Sequence, residues 1–286
     1  MTDFANDPDY EDCLVTFFDV LGYRNLLNTR SGAEIRQLLS TFRRVSDGDA
    51  TRPIRSDEMR MISEVHAEIV SDAIVRTRTI ETQYPTGPLV WELIDLLHIQ
   101  IECVSSGIMV RGAMTIGPMH LGIGFDGPVF GPGLVQAFFM EEREVIFPRI
   151  AVHEDVIERH REDSSLWREG HSYEDEQRHL ASLLCLDDSG LHFIDYLRAS
   201  LGEIDDEFSG WIEFLSRHKT LIETGLAEEN AANVRRKYVW LKNYHNKVVN
   251  EKLDRAEPEA LSAAEELALQ ALRELRIPER ASVVDS

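Results

Sequence analysis

The stretch Thr16-Phe17-Phe18-Asp19-Val20-Leu21-Gly22-Tyr23 decides how the rest of the chain is read. β-prone apolar residues run into a single aspartate, a short apolar-Gly-aromatic turn follows, and Arg24-Asn25-Leu26-Leu27 continues with helical character. The pattern predicts a buried strand over residues 12–20 that delivers a carboxylate to a tight turn and a helix N-terminus. Two roles are open to Asp19. It can cap the next helix, or it can hold a hard cation while backbone N–H groups of the turn meet phosphate oxygens.

A second stretch, Glu64 to Thr77, reads as two β-prone runs joined by Ser71-Asp72. Asp72 either makes an ordinary hairpin turn or comes beside Asp19 at the edge of one sheet. Two carboxylates there could share one or two Mg²⁺ or Mn²⁺ ions and a triphosphate. A third stretch, Val110-Arg111-Gly112-Ala113-Met114-Thr115-Ile116-Gly117-Pro118, leads through a Gly-rich loop to Val129-Phe130-Gly131-Pro132-Gly133-Leu134-Val135-Gln136-Ala137-Phe138-Phe139-Met140-Glu141 and then Pro148 to Val152.

In this order and at these spacings, residues 12–155 resemble the catalytic domain of class III nucleotidyl cyclases. That family carries an Asp-apolar-apolar-Gly-aromatic element, a Gly-Asp hairpin, an Arg-apolar-Gly strand ending in Gly-Pro, and a Phe/Tyr-Gly element opening a helix that ends in Glu. Within the family the chain looks like the bacterial pyrimidine cyclases of the Pycsar anti-phage system, on its Phe-Phe-Asp-Val-Leu-Gly start, its Ser-Asp in place of Gly-Asp, and its Gly-Pro-Gly-Leu-Val-Gln-Ala-Phe segment.

The resemblance implies attack of a ribose 3′-hydroxyl on the α-phosphate of a nucleoside triphosphate, with pyrophosphate expelled. Asp19 and Asp72 match the family's metal aspartates for two Mn²⁺ or Mg²⁺ ions, with the Val20 carbonyl as a further ligand. The N–H groups of Leu21, Gly22 and Tyr23 would cradle phosphate. Arg111 matches an arginine that contacts the terminal phosphates; its plain alternative is an exposed strand arginine paired with an acid. Glu68 stands where guanylate cyclases read the base, and a carboxylate there can accept from uracil N3–H or the cytosine amino group; otherwise it is a solvent-facing hairpin residue.

The departures are specific. Val135 and Phe139 stand where the family carries a transition-state Asn and Arg, and Pro128 replaces a base-reading Asp. Arg24, Arg143 or an arginine of the partner subunit could take over. Pro128, Phe130, Val135 and Phe139 would shrink and dry the pocket, which suits one ring better than two. The implied product is cyclic UMP, or cyclic CMP as the alternative, made by a head-to-tail homodimer with sites at the subunit interface and acting on a separate effector protein. The competing readings are a purine cyclase with an eroded site and a silent cyclase-like module that binds nucleotide or a partner.

Composition narrows the classes. The chain has 286 residues, 43% hydrophobic and 28% charged, and a formal net charge of −21. Such an excess of acid argues against a nucleic-acid groove or an anionic membrane surface, both of which reward basic patches. Cys13, Cys103 and Cys185 lack zinc or C-x-x-C spacing and read as reduced core residues in a cytoplasmic protein. The acidic N-terminus is unlike a signal peptide, and no run approaches the roughly 20 apolar residues of a membrane span.

The expected fold is mixed α/β (α+β): a ferredoxin-like cyclase core with an antiparallel sheet and helices, plus a C-terminal helical extension. Residues 1–11 form a lead-in, 12–200 the catalytic domain (core 12–155, added hairpin 183–196) and 201–286 the helical extension, a small bundle or a dimer brace. Helices are expected over 32–45, 88–105, 133–145, 207–226, 231–252 and 257–275, and a hairpin over 59–79. Residues 108–122 read as a strand, a turn at Gly117-Pro118 and a short return strand, and 156–178 as a helix plus a mobile insertion. Tyr244-His245-Asn246 reads as structural, with a reach across a dimer as the alternative.

Overall fold

A computed structural model describes residues 9–47, 65–81, 86–122, 128–204, 207–228, 231–255 and 263–278. The chain divides into two compact units, residues 1–199 and 200–286.

In the first unit, β1 (Glu11–Val20) is the strand on which the others are hung. It pairs antiparallel with β3 (Ala73–Thr79) on one side and β4 (Val110–Met119) on the other. β2 (Val65–Val70) completes a hairpin with β3; residues 59–64 of the expected hairpin lie outside the described residues. Helices α1 (Tyr23–Thr29) and α2 (Gly32–Asp47) follow β1, and α3 (Pro88–Ser105) follows β3. The order β2-β3-β1-β4 with these crossovers is the ferredoxin-like β-α-β-β-α-β arrangement. Beyond β4 the sheet continues with β5 (Ile150–Val152), parallel to β4, then β7 (His192–Ile194) and β6 (Leu184–Leu186). The 183–196 hairpin thus supplies the edge of the same seven-stranded sheet. Among the described residues no helix is long and apolar enough to cross a membrane.

Two expectations are corrected. β4 runs unbroken through Gly117-Pro118, with Pro118 opposite Asp12 and no return strand. His120 and Phe130 instead form an isolated bridge. The 156–178 segment holds α5 (Glu154–Glu162), a 3₁₀ turn (Ser164–Leu166) and the start of α6 (Tyr173–Leu183). Ser172 and Asp175 form a reciprocal capping box at the start of α6. The Glu176 carboxylate is buried beneath Arg168 Nε (2.9 Å) and His171 Nδ1 (3.0 Å).

Alternation sends the two faces of β1 to different layers. Leu14, Phe18 and Val20 face the α2/α3 layer, where Phe18 packs edge-on against Phe42. Cys13, Val15 and Phe17 face α4 (Pro132–Arg143), which lies across β1 and β4. α4 comes close enough for a Cβ on Gly133 to press on Val15 and the Gly117 carbonyl. On the opposite face a charged strut joins β3 to α3. Glu92, fully buried, accepts from Arg76 Nε and Arg78 Nε, each at 2.7 Å, and Asp95 pairs with both guanidiniums. Burial alone would push the Glu92 carboxyl up; Arg76 and Arg78 outweigh it and hold the carboxyl below its ordinary value.

The second unit is a helical bundle of α8 (Glu207–Ala227), α9 (Ala232–Asp254) and α10 (Ala263–Glu274), preceded in the chain by the short α7 (Tyr196–Ala199) of the first unit. Gly225 of α8 lets the Tyr238 ring of α9 lie directly against its backbone. Asn246 exchanges both hydrogen bonds with the Ile277 backbone, at 2.8 and 2.9 Å. His245 Nε2 donates to the Leu275 carbonyl at 3.0 Å, and its Nδ1 lies 3.1 Å from Nδ1 of the stacked His218. With Nε2 donating, His245 Nδ1 is the acceptor and His218 supplies the proton between them. His245 and Asn246 thus pin the chain that follows α10, as the structural reading expects.

Two outcomes follow from these packed charges. Glu92→Ala leaves two buried guanidiniums without their shared partner and should cost about 3–5 kcal/mol in urea unfolding. Burial, with the Lys219 ammonium adding, pushes His245 down to about 4. A lowered histidine is neutral in the fold and charged in the unfolded chain between the two values. Its stabilisation is therefore present above about pH 6.5 and is lost as pH falls toward 4, by up to about 3 kcal/mol. His245→Gln should reduce the pH dependence of the bundle's melting across that window without abolishing it, because burial also lowers the neighbouring His218.

Candidate functional site

The last residues of β1 bring three distant parts of the chain to one point. In the ladder Asp19 lies opposite Ala73 on one side and Arg111 on the other. The Val20 N–H donates to the Asp72 carbonyl at 3.0 Å, so the Ser71-Asp72 tip is seated beside the end of β1. In an extended residue N–H and C=O point to the same side, which puts the Val20 carbonyl on the hairpin side as well. Asp19, Asp72, Val20 and Arg111 are thus neighbours at one end of the sheet.

Ser71 has φ 62°, the one positive φ outside glycine among the described residues. It is the first residue of a two-residue hairpin loop, where the positive angle is glycine's place. The tip that presents Asp72 is therefore held in a conformation that costs a serine about 1 kcal/mol.

Arg111 crosses from β4 to α4. Its Nη2 is in close contact with Glu141 Oε1 and 3.6 Å from Asp19 Oδ2, and its Nη1 reaches the Val145 carbonyl at 3.4 Å. The Glu141 side chain is 4% exposed, that of Asp19 26% and that of Arg111 20%. Glu141 follows Ala137 and Met140 on the buried side of α4. Sequence reasoning gave it no role. The signal available was an acid at inward spacing on an otherwise apolar helix face.

Glu68 shares the α4 face of the sheet with Asp19, through the row Glu68–Val75–Phe17–Ala113. It is two strands and one pleat repeat from Asp19, roughly 12 Å by standard sheet spacings. Gly22 adopts the left-handed region (φ 75°, ψ 17°), with open space where a Cβ would stand. The expectation for Leu21 is corrected: its N–H donates to the Met109 carbonyl at 2.8 Å, because β4's approach continues one residue past the strand, so it is not open to a phosphate.

The residues expected to dry the pocket do not gather around Asp19 within one chain. Val135 and Phe139 point outward from α4, both largely exposed, with the Arg143 guanidinium 4.3 Å over the Phe139 ring. Phe130 bridges to His120, beyond the opposite end of β4, roughly 30 Å of strand from Arg111. The Arg24 side chain lies outside what the structure describes. Two clefts of the first unit, of about 480 Å³ beside Met140, Glu144 and His153 and about 660 Å³ beside His160, Tyr173 and Cys185, are lined by none of Asp19, Glu68, Asp72 or Arg111.

No protein-family model and no curated protein matches the chain. Among solved structures it is similar to a monomeric, doubly mutated guanylyl cyclase domain of the RhoGC fusion protein from the aquatic fungus Blastocladiella emersonii, with 14% identity and a TM-score of 0.40 over 64% of this chain and 93% of that one. It is also similar to a bacterial light-regulated adenylyl cyclase, with 13% identity and a TM-score of 0.37 over 55% of this chain. The match spans 48%, about half, of that second protein.

If backbone strain is what Ser71 contributes at the tip, Ser71→Gly should raise thermal stability, by up to about 1 kcal/mol. A fall in melting temperature would show that the serine side chain holds the tip instead.

Proposed function

We propose that the chain is a nucleotidyl cyclase that converts UTP to 3′,5′-cyclic UMP and pyrophosphate, with CTP as the alternative substrate. The observation that carries the reading is the convergence of Asp19, the Asp72 tip and Arg111 at one sheet end. The donor set there suits Mg²⁺ or Mn²⁺. Two carboxylates and a carbonyl are hard oxygen ligands, and such ions complete their shell with water and substrate phosphates. Among the described residues no group of three His, Cys, Asp or Glu is placed to hold a metal, so the nucleotide's own phosphates would have to finish the site.

When bound, two divalent ions supply charge neutralisation and a lowered pKa for the attacking hydroxyl. The chain's residues do the rest. Asp19 and Asp72 hold the ions, with the Val20 carbonyl. Arg111 meets charge on the triphosphate, and the open turn at Gly22 and Tyr23 offers N–H groups to phosphate oxygens. Glu68, roughly 12 Å away, accepts from the Watson–Crick edge of a pyrimidine.

We further propose a homodimer with two equivalent sites. Asp19 is partly exposed at a sheet end, while Phe138, Phe139 and Val135 form an exposed apolar strip on α4. A second copy would cover that strip and bring Phe130 and Pro128 to the nucleotide from the other side. A role in bacterial anti-phage signalling through a separate effector rests on the resemblance in sequence alone.

The test is incubation of the full chain with Mn²⁺ and each of ATP, GTP, CTP and UTP in turn, with products identified by mass spectrometry. The expected product is a cyclic pyrimidine monophosphate, reduced by about 100-fold or more in Asp19→Ala and Asp72→Ala. A purine product would overturn the base assignment. Binding of nucleotide with no product from any of the four would favour the silent module.

A further inference from the structure

We propose that the outer edge of β6, with the cleft beside it, takes an extended peptide from another protein: one large apolar side chain enters the cleft and basic residues flank it.

β6 ends the seven-stranded sheet and pairs with β7 on one side. The Asp195 N–H donates to the Leu183 carbonyl at 2.8 Å, and the Asp187 N–H to the Leu191 carbonyl at 3.1 Å. Bonded and non-bonded positions alternate along an antiparallel pair. Cys185 is therefore the residue of β6 that bonds to β7, and Leu184 and Leu186 turn their backbones outward. The Leu184 N–H is taken by the Leu180 carbonyl at the end of α6. The Leu184 carbonyl and both backbone groups of Leu186 thus lie along the edge, in line for a strand laid against it. Edge strands are commonly guarded by charge or proline. Leu184-Cys185-Leu186 has neither, and Leu186 is 56% exposed. The shortness of β6 fits a guest of a few residues.

The cleft of about 660 Å³ opens beside this edge. Leu184, Leu186 and His192 share one face of the β6–β7 pair. They line the cleft together with Ile157 of α5 and Leu180 and Ala181 of α6. A strand on the β6 edge sends alternate side chains to that face, so its central residue meets an apolar wall. The rim decides the charge. Arg178 is held by Asp175. Glu174 on α6 and Asp188 just past β6 are exposed, and neither carboxylate is in an ion pair among the described residues. A guest with basic residues on either side of its apolar one answers both, and the net charge of −21 favours it over an acidic guest.

The test is calorimetry on the full chain with an end-capped peptide of sequence Lys-Val-Leu-Val-Lys, whose leucine and lysines share one face. It should bind. Peptides with aspartate for the leucine, or glutamate for both lysines, should bind at least about tenfold more weakly. Leu186→Pro removes an outward N–H that the β6–β7 ladder does not use, so the melting curve should hold while affinity falls about tenfold. Ala181→Lys sets a cation at the wall of the cleft and should weaken binding by about as much; it decides the matter should Leu186→Pro unfold. No binding at millimolar peptide, or equal binding by wild type, Leu186→Pro and Ala181→Lys, would overturn the proposal. So would sedimentation of the unliganded chain as a dimer that Leu186→Pro makes monomeric, since the edge would then belong to a second copy.

Discussion

The double ladder of β1 is the constraint on which the rest depends. Along its length it is paired on both sides, so its register with β3 and β4 is set twice over. A slip of one residue would exchange its two faces, moving Phe18 to the α4 side and Asp19 into the layer beneath Phe42. Gly112 shows how tight the fit is. A Cβ at this position would overlap Phe18 Cβ and the Phe17 carbonyl, so β4 reaches its place only with a residue that has no side chain. Arg111 is next to that glycine, and its position opposite Asp19 follows from the close approach.

In a chain with a net charge of −21, 30 Lys and Arg face 51 Asp and Glu, so where the cations sit matters. Several are spent inside. Arg76 and Arg78 serve Glu92 and Asp95. Arg149, 2% exposed, meets Asp187 at 2.5 Å and lies over the Phe193 ring. Arg111 differs from these in being partly open while still shared between two acids. In an acidic protein, a triphosphate would be drawn by local positive charge set against an unfavourable overall field.

Local signals in the sequence led to most of the framework, and their failures have physical causes. The strand into Asp19, the Ser71-Asp72 hairpin and the 183–196 hairpin are legible because period-two alternation and turn residues are short-range properties. Gly117-Pro118 misleads because Gly-Pro is an ordinary turn signal. Here Asp12 opposite turns its backbone toward β3, accepting from Ile80 N–H, so the Pro118 nitrogen faces away from β1. β5 spans only Gly112 to Met114 on that side, and the missing N–H breaks no ladder bond. The Ser172–Asp175 capping box was present in the letters of a charge-rich segment that read instead as an insertion. The Arg111–Glu141 contact joins residues thirty positions apart, and Leu21's lost N–H depends on where Met109 ends up. No local pattern carries either.

The proposed chemistry also places a demand on assembly. Phosphoryl transfer between a hydroxyl and a triphosphate gains from a site that excludes water, because charges act more strongly there. One chain offers Asp19 and Asp72 at an open sheet end and an exposed apolar strip on α4 nearby, with the Phe138 ring edge-on to Phe17. In one chain Asp19 is partly exposed and the strip faces outward. A two-fold axis would answer both needs with one surface, since in such a dimer each residue contact occurs twice and two sites form together. In the proposed dimer, the outward-facing Val135 and Phe139 would form a wall that the partner's nucleotide meets. In that proposed arrangement the apolar residues of α4 and the acidic pair on β1 and its hairpin would be parts of one site divided between two copies.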